Sequence, residues 1–303
     1  MVWSHRLALL LSVATAVLIL FGGLVTNTGA ALAVPDWPTT FGYNMFFYPW
    51  SEMVGGIFYE HSHRLIGSIV GLLTVLLAGA LWIMESRRWL RWLGLSAVGV
   101  VSAQGLLGGL RVVLLAENLA ILHGILAQAF FGLAVSLVLF TSEEWRHQER
   151  SLTAPSPSLR RLSLGTTCAL YLQIVFGALL THRGRLDAHL VGALGLLILI
   201  PMLGVQMRRR HPDNPSLVGP AVGMEVLFML QLVLGAGSYA ARFTGLALPL
   251  AGFMSLALPV AHRLIGALLF GASLVITLKL YWLEALQPGS PATVPIGMKG
   301  MPA

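Results

Sequence analysis

The sequence predicts an all-α, polytopic membrane protein, with eight transmembrane helices arranged as two tandem four-helix bundles in a pseudo-twofold relation. Three observations carry this. Of 303 residues, 56% are hydrophobic and 10% charged, with a mean hydropathy of +0.80, a composition foreign to soluble domains. Eight apolar stretches are each long enough for a bilayer, whose crossing takes about 20 residues. His-Arg-Leu-Ile-Gly occurs twice, at 63–67 and 262–266, and such a recurrence marks an internal repeat.

The first span runs from Leu7 to Val25 and has no small-residue cleavage site after a short apolar core, so it reads as a retained helix. A long connection follows, containing Asn27-Thr28-Gly29 and Val34-Pro35-Asp36-Trp37-Pro38. The next three spans are His61–Met84, Trp92–Leu110 and Leu119–Phe140. Ser142 to Leu159 is the most polar internal stretch, with Glu143, Glu144, Arg146, Arg150 and Pro155-Ser156-Pro157, and reads as a linker. The second set is Leu162–Leu180, Asp187–Val205, Val218–Ala240 and Leu258–Leu280. The organisation is therefore an N-terminal unit (1–141), a cytoplasmic linker (142–161), a C-terminal unit (162–284) and a Pro- and Gly-rich tail (285–303) expected to be disordered.

Eight spans put both termini on one side. Thirteen of the 19 lysines and arginines fall on that side and six on the other, so the positive-inside rule places both termini in the cytoplasm of a cell membrane. The net charge of +7 thus expresses topology, with the lipid bilayer and no nucleic acid as partner. The single cysteine, Cys168, excludes a disulfide and a thiolate metal site.

His63, His123, His189 and His262 open the even-numbered spans, which places all four toward the outer leaflet, two in each half. Ionisable residues are costly in lipid and mark function. Four residues beyond them lie Gly67, Ala127, Ala193 and Gly266, small residues on the same helical face that leave room for a flat macrocycle. His61 and His182 have Leu65 and Leu186 there, and His5, His147 and His211 lie in terminal or loop segments and read as solvated. Two facing histidine helices per half predict bis-histidine ligation of one haem iron in each bundle. Zinc would need three or four converging ligands, and Glu60 with His63 supplies only two. The odd spans carry Gln104-x3-Gly108, Gln173-x3-Gly177 and Gln231-x3-Gly235, with Phe21-Gly22-Gly23 in the first; glycines at this spacing also suit close helix packing.

Glu60 lies one turn before His63, where a carboxylate serves proton relay or cation stabilisation or simply complements the helix dipole. The aligned position before His262 is Pro259, so the halves differ chemically: one haem is worked upon and the other is a redox cofactor. Arg64 and Arg263, beside the ligands, read as propionate partners or as snorkelling cations.

Together, Thr28-Gly29, Val34-Pro35-Asp36-Trp37-Pro38, Glu60-x-x-His63-Arg64, Gln104-x3-Gly108-Gly109, His123, His189 and His262-Arg263 resemble the haem A synthase family. The resemblance implies oxidation of the C8 methyl of haem O to a formyl group by successive hydroxylations. It implies His63 and His123 as ligands of the substrate haem, Glu60 as the catalytic carboxylate, and His189 and His262 as ligands of a haem b cofactor. It further implies an unidentified electron donor, and haem O synthase or oxidase-assembly proteins as partners. The cysteine pair that some members carry in the first outer loop is missing, and the loop Thr181–Leu186 lacks the Trp-Pro of the first. A dihaem electron-transfer cytochrome and a non-enzymatic haem transport or assembly protein are the rival readings.

Overall fold

The computed structural model describes residues 2–147, 154–246 and 250–286. Its elements are α1 (Val2–Asn27), α2 (Gly56–Met84), α3 (Arg88–Leu114), α4 (Glu117–Thr141), the short α5 (Glu143–His147), α6 (Pro157–Arg183), α7 (Leu186–Arg210), α8 (Pro215–Phe243) and α9 (Ala251–Ala285). Eight are long and apolar enough to cross a membrane, and no strand occurs among the described residues. The tail beyond Leu286 lies outside them.

The helices outrun their apolar stretches. α2 begins at Gly56 rather than His61, and α9 at Ala251 rather than Leu258. Hydropathy ends where polar side chains begin, whereas a helix continues until a backbone signal stops it. Gly55, at φ 56°, precedes α2, and Gly184, at φ 68°, ends α6 with its N–H on the Leu180 carbonyl. Ser156 caps the start of α6 by accepting from Leu159 N–H, with Pro157 in the first turn. His63 consequently lies about two turns into α2, and His262 about three turns into α9.

Packing closes two rings of helices. α1 and α3 each rest on both α2 and α4, leaving α2 and α4 on a diagonal without close mutual packing. α6 and α8 do the same for α7 and α9. The rings meet where α9 rests on α1 and α4, and α4 on α6. Half of the apolar window of α4 and of α9 is buried, against 17% for α6, because lipid covers the other faces without a hydrophobic cost. The α4–α9 seam is reciprocal. A Cβ on Gly132 of α4 would lie 2.8 Å from Phe270 of α9, and one on Gly271 of α9 would lie 3.3 Å from Phe131 of α4. Each helix thus offers a Phe-Gly step to the other.

At the end of the helices away from the four histidines, α5 ties the rings together. Lys279 of α9, almost fully buried, donates to Glu144 at 2.7 Å and to the Ser216 carbonyl at 3.1 Å. Arg146 donates to Glu85 at 3.3 Å, Trp145 stacks on Trp282 of α9 at 4.6 Å between ring centres, and Phe140 meets Trp145 edge-on. The predicted linker, 142–161, is therefore docked over Ser142–His147, and its last residues form the first turn of α6; Arg150 lies outside the described residues.

Glu85, just beyond α2, is buried among donors. The Arg87 side chain above all, against the opposing effect of desolvation, holds its carboxyl down at about 2 from an ordinary 4.5. A carboxyl depressed in the folded state stabilises above its unfolded value, and that contribution disappears as pH falls through the folded value. Thermal unfolding in detergent is thus expected to lose stability between pH 4.5 and about 2. Glu85→Gln should flatten that slope and cost about 2 kcal/mol at neutral pH.

Candidate haem-binding site

The four histidines of the even-numbered spans meet in two pairs at one end of the helices. His63 and His123 have ring centres 6.3 Å apart at 72°, and His189 and His262 have theirs 6.1 Å apart at 68°. Each pair spans the diagonal of its ring, where the backbones do not touch. Two imidazoles sharing one metal ion, with ~2 Å metal–nitrogen bonds and about 1.1 Å from nitrogen to ring centre, stand about 6.2 Å apart. No group of three or more His, Cys, Asp or Glu side chains converges on a metal-sized site among the described residues.

The rings are backed from the neighbouring odd span. A Cβ on Gly22 would lie 3.2 Å from His63, on Gly108 3.1 Å from His123, on Gly177 3.5 Å from His189, and on Gly235 3.0 Å from His262. Four residues before three of these glycines stands a glutamine. Gln104 donates its amide to the His123 carbonyl (2.8 Å) and Gln173 to the His189 carbonyl (2.9 Å). His123 Nδ1 donates to the Gln104 carbonyl at 3.1 Å, and His262 Nδ1 to that of Gln231 at 3.2 Å. A ring whose Nδ1–H is so engaged presents Nε2 as its metal-binding nitrogen. The Gln231 amide reaches His262 Nε2 at 3.2 Å, and the Gln173 amide His189 Nδ1 at 3.2 Å.

Of the small residues one turn beyond the histidines, Gly266 faces the Gln231 side chain and Gly67 faces Leu18 of the neighbouring helix. Buried polar atoms remain without partners in the same region: Oε1 of Gln104, Gln173 and Gln231, and Nδ1 of His63. Paired rings at the ligation distance, backed by glycines, fit an iron tetrapyrrole in each ring of helices.

The connection after α1 is fastened over the first pair. Glu60, buried, accepts from Val34 N–H at 3.0 Å and from Arg64 at 2.9 Å. Arg64 gives its remaining terminal N–H groups to the carbonyls of Asp36 (2.7 Å), Thr39 (3.1 Å) and Val34 (3.1 Å). All four terminal N–H groups are therefore spent on protein, which leaves Nε–H of Arg64 for a propionate. His61, fully buried, bonds Thr40 Oγ1 at 3.1 Å and packs on Tyr48. Asp36 pins the tip by accepting from Phe41 N–H, Gly42 N–H and Thr39. Its carboxyl sits below the ordinary value: desolvation opposes this, and the Gly42, Thr39 and Phe41 donors outweigh it. Trp37 lies flat on the backbone of Gly109, where any Cβ would overlap the indole.

Arg263 reaches across the seam to the Gly22 carbonyl (3.4 Å) and Thr26 Oγ1 (3.3 Å), beside the backing of His63. Arg111 escaped the sequence reading. It lies one turn beyond Gly108, within electrostatic range of His63, His123 and Glu60, and its guanidinium has no hydrogen-bond or ion-pair partner among the described residues. Its spacing of seven from Gln104, on the histidine end of α3, was the available signal. His182 stands between the halves, 3.9 Å from Glu117. His211, read as solvated, is buried at the end of α7, and burial lowers its pKa. His5 is part-buried and contacts Thr141 at 3.2 Å. The side chain of His147 lies outside the description.

Fold and site define an eight-span membrane protein with two intramembrane histidine pairs. The chain belongs to the cytochrome oxidase assembly protein family (COX15-CtaA), matched over residues 5–185. It is 29% identical over 182 residues to the heme A synthase of Shouchella clausii (strain KSM-K16), an alignment covering 58% of this chain and 58% of that relative. The family match takes in His63 and His123 and stops before His189 and His262.

Two outcomes follow from these contacts. Arg64→Ala should raise hydrogen exchange at Val34 and Phe41 about 100-fold, since bonds to a charged donor are worth about 1.5–3 kcal/mol each; unchanged exchange would mean that other contacts hold the loop. Gly235→Val should push the His262 ring aside and lower haem affinity in the second pair by about tenfold or more, measured by haem titration of the purified protein.

Proposed function

We propose that this protein is a haem A synthase, a membrane-bound haem-dependent oxidoreductase that oxidises the C8 methyl of haem O to a formyl group by successive hydroxylations. The observation carrying this is the match of both ring-pair separations to the spacing that one shared iron demands. The family membership and the heme A synthase relative support the choice of reaction. His63 and His123 would hold haem O as substrate, and His189 and His262 would hold haem b, whose chemistry there would be electron transfer. Both sites face the outer leaflet of the cell membrane, with the termini in the cytoplasm. Iron, when bound, supplies oxygen activation and one-electron chemistry.

The chain's own residues supply placement. Carbonyls of Gln104 and Gln231 fix the tautomers of His123 and His262. The loop from Val34 to Gly42, latched by Arg64 and Trp37, covers the first pair and excludes water from it. Glu60 acts there as the catalytic carboxylate, holding or moving a proton at its Oε2 edge while Oε1 stays on Arg64. Arg111 and Arg263 receive propionates.

One observation favours a second reading. Both Glu60 oxygens already serve the loop latch, and a carboxylate used only for anchoring suits a dihaem electron-transfer cytochrome. Pigments extracted from a host that makes haem O decide between them. Haem A should appear only when the chain is expressed, and Glu60→Ala should cut its yield about 100-fold or more while retaining the low-spin haem spectrum. Unmodified haem O with the chain present would leave the cytochrome reading.

A further inference from the structure

The connection between α1 and α2 turns large apolar side chains outward. Phe46, Phe47, Trp50 and Val54 are 62–79% exposed, and a contiguous apolar patch of this kind marks a surface that something else covers. From Thr28 to Tyr59 the chain carries two acids, Asp36 and Glu52, and no lysine or arginine. The patch therefore offers rings and aliphatic groups without a cation to draw in an anion.

Two neighbours fix its depth. Tyr48, next to Phe47, is buried and packs on His61 with ring centres 5.2 Å apart, and His61 opens the apolar stretch of α2. Phe58, also exposed, stands on one stripe of α2 with Ile69, Leu72 and Leu76, the side chains that face lipid. The patch thus lies level with the start of the span and continues its lipid-facing stripe. The α8–α9 connection has the same character: Phe243, Leu246, Leu250 and Phe253 are exposed, and no acid, lysine or arginine falls between Arg242 and Arg263.

We infer that Phe46, Phe47, Trp50 and Val54 seat the α1–α2 connection in the outer leaflet, where headgroups meet acyl chains. Aromatic rings favour that layer, and apolar side chains enter it to a depth of about 5–10 Å. With no cation in the connection, zwitterionic phosphatidylcholine suffices. The cover over the first pair is thereby held twice, by the Arg64–Glu60 latch to α2 and by its rings to lipid. The patch is separate from the paired histidines and sits in lipid whatever they hold.

The full chain carrying Cys168→Ala and Phe47→Cys, labelled with bimane at position 47, is placed in phosphatidylcholine nanodiscs. Adding 5-doxyl phosphatidylcholine should lower bimane emission about twofold or more, whereas iodide in the water should lower it little. Phe46→Ser with Trp50→Ser, both at exposed positions, should reduce the doxyl effect about twofold and raise quenching by iodide. Anionic lipid or added salt should change neither. Quenching by iodide without quenching by doxyl lipid would overturn the inference and leave the patch open to a protein partner. Doxyl quenching that requires anionic lipid, or that the double substitution leaves intact, would overturn it as well.

Discussion

Everything at the histidine end follows from one constraint: an imidazole in a bilayer has no water to satisfy or orient it, so helix neighbours must do both. A polar ring left loose there is expensive. The chain answers with a repeated device, in which a glycine removes the obstacle behind the ring and a residue one turn earlier supplies a carbonyl or an amide. The diagonal placement of α2 and α4, and of α7 and α9, then fixes the span between opposing rings. Ring separation is therefore a property of helix packing more than of side-chain choice.

The two halves use this device under different covers. Over the first pair lies a latched connection whose anchors, Glu60, His61 and Arg64, are consecutive turns or neighbours on α2. At the end of the second pair lie the short turn at Gly184, the Arg185–Asp187 ion pair and the α8–α9 connection, described at Thr244–Leu246 and Leu250. Burying Glu60 with Arg64 is costly in isolation, and the expense is met by three loop carbonyls and one backbone N–H. Such investment in one cover marks the first pair as the place where exclusion of solvent matters.

Much of this was legible in the sequence. Eight spans, four histidines at one level, and their division two and two could be read from hydropathy and from the recurrence of His-Arg-Leu-Ile-Gly. What could not be read were relations between helices. Gly67 and Gly266 read as room for a ligand from same-helix spacing, which is all a sequence displays; the side chains they face, Leu18 and Gln231, belong to other helices. The four acceptors of Arg64 were hidden because they are mostly backbone carbonyls, which leave no trace in composition. His211 read as solvated and Ser142–His147 as part of a linker because polar runs usually are, and only tertiary contacts with Lys279, Glu85 and Trp282 reveal the docking of α5.

The Phe-Gly steps at the α4–α9 seam have a consequence of their own. Phe131 follows His123 by eight residues and Phe270 follows His262 by eight, and each phenylalanine rests on the glycine of the opposite step. A surface that is its own complement leaves no freedom to slide, because any shift that relieves one contact tightens its mate. The vertical offset between the two histidine levels is thereby locked like a key cut identically on both edges.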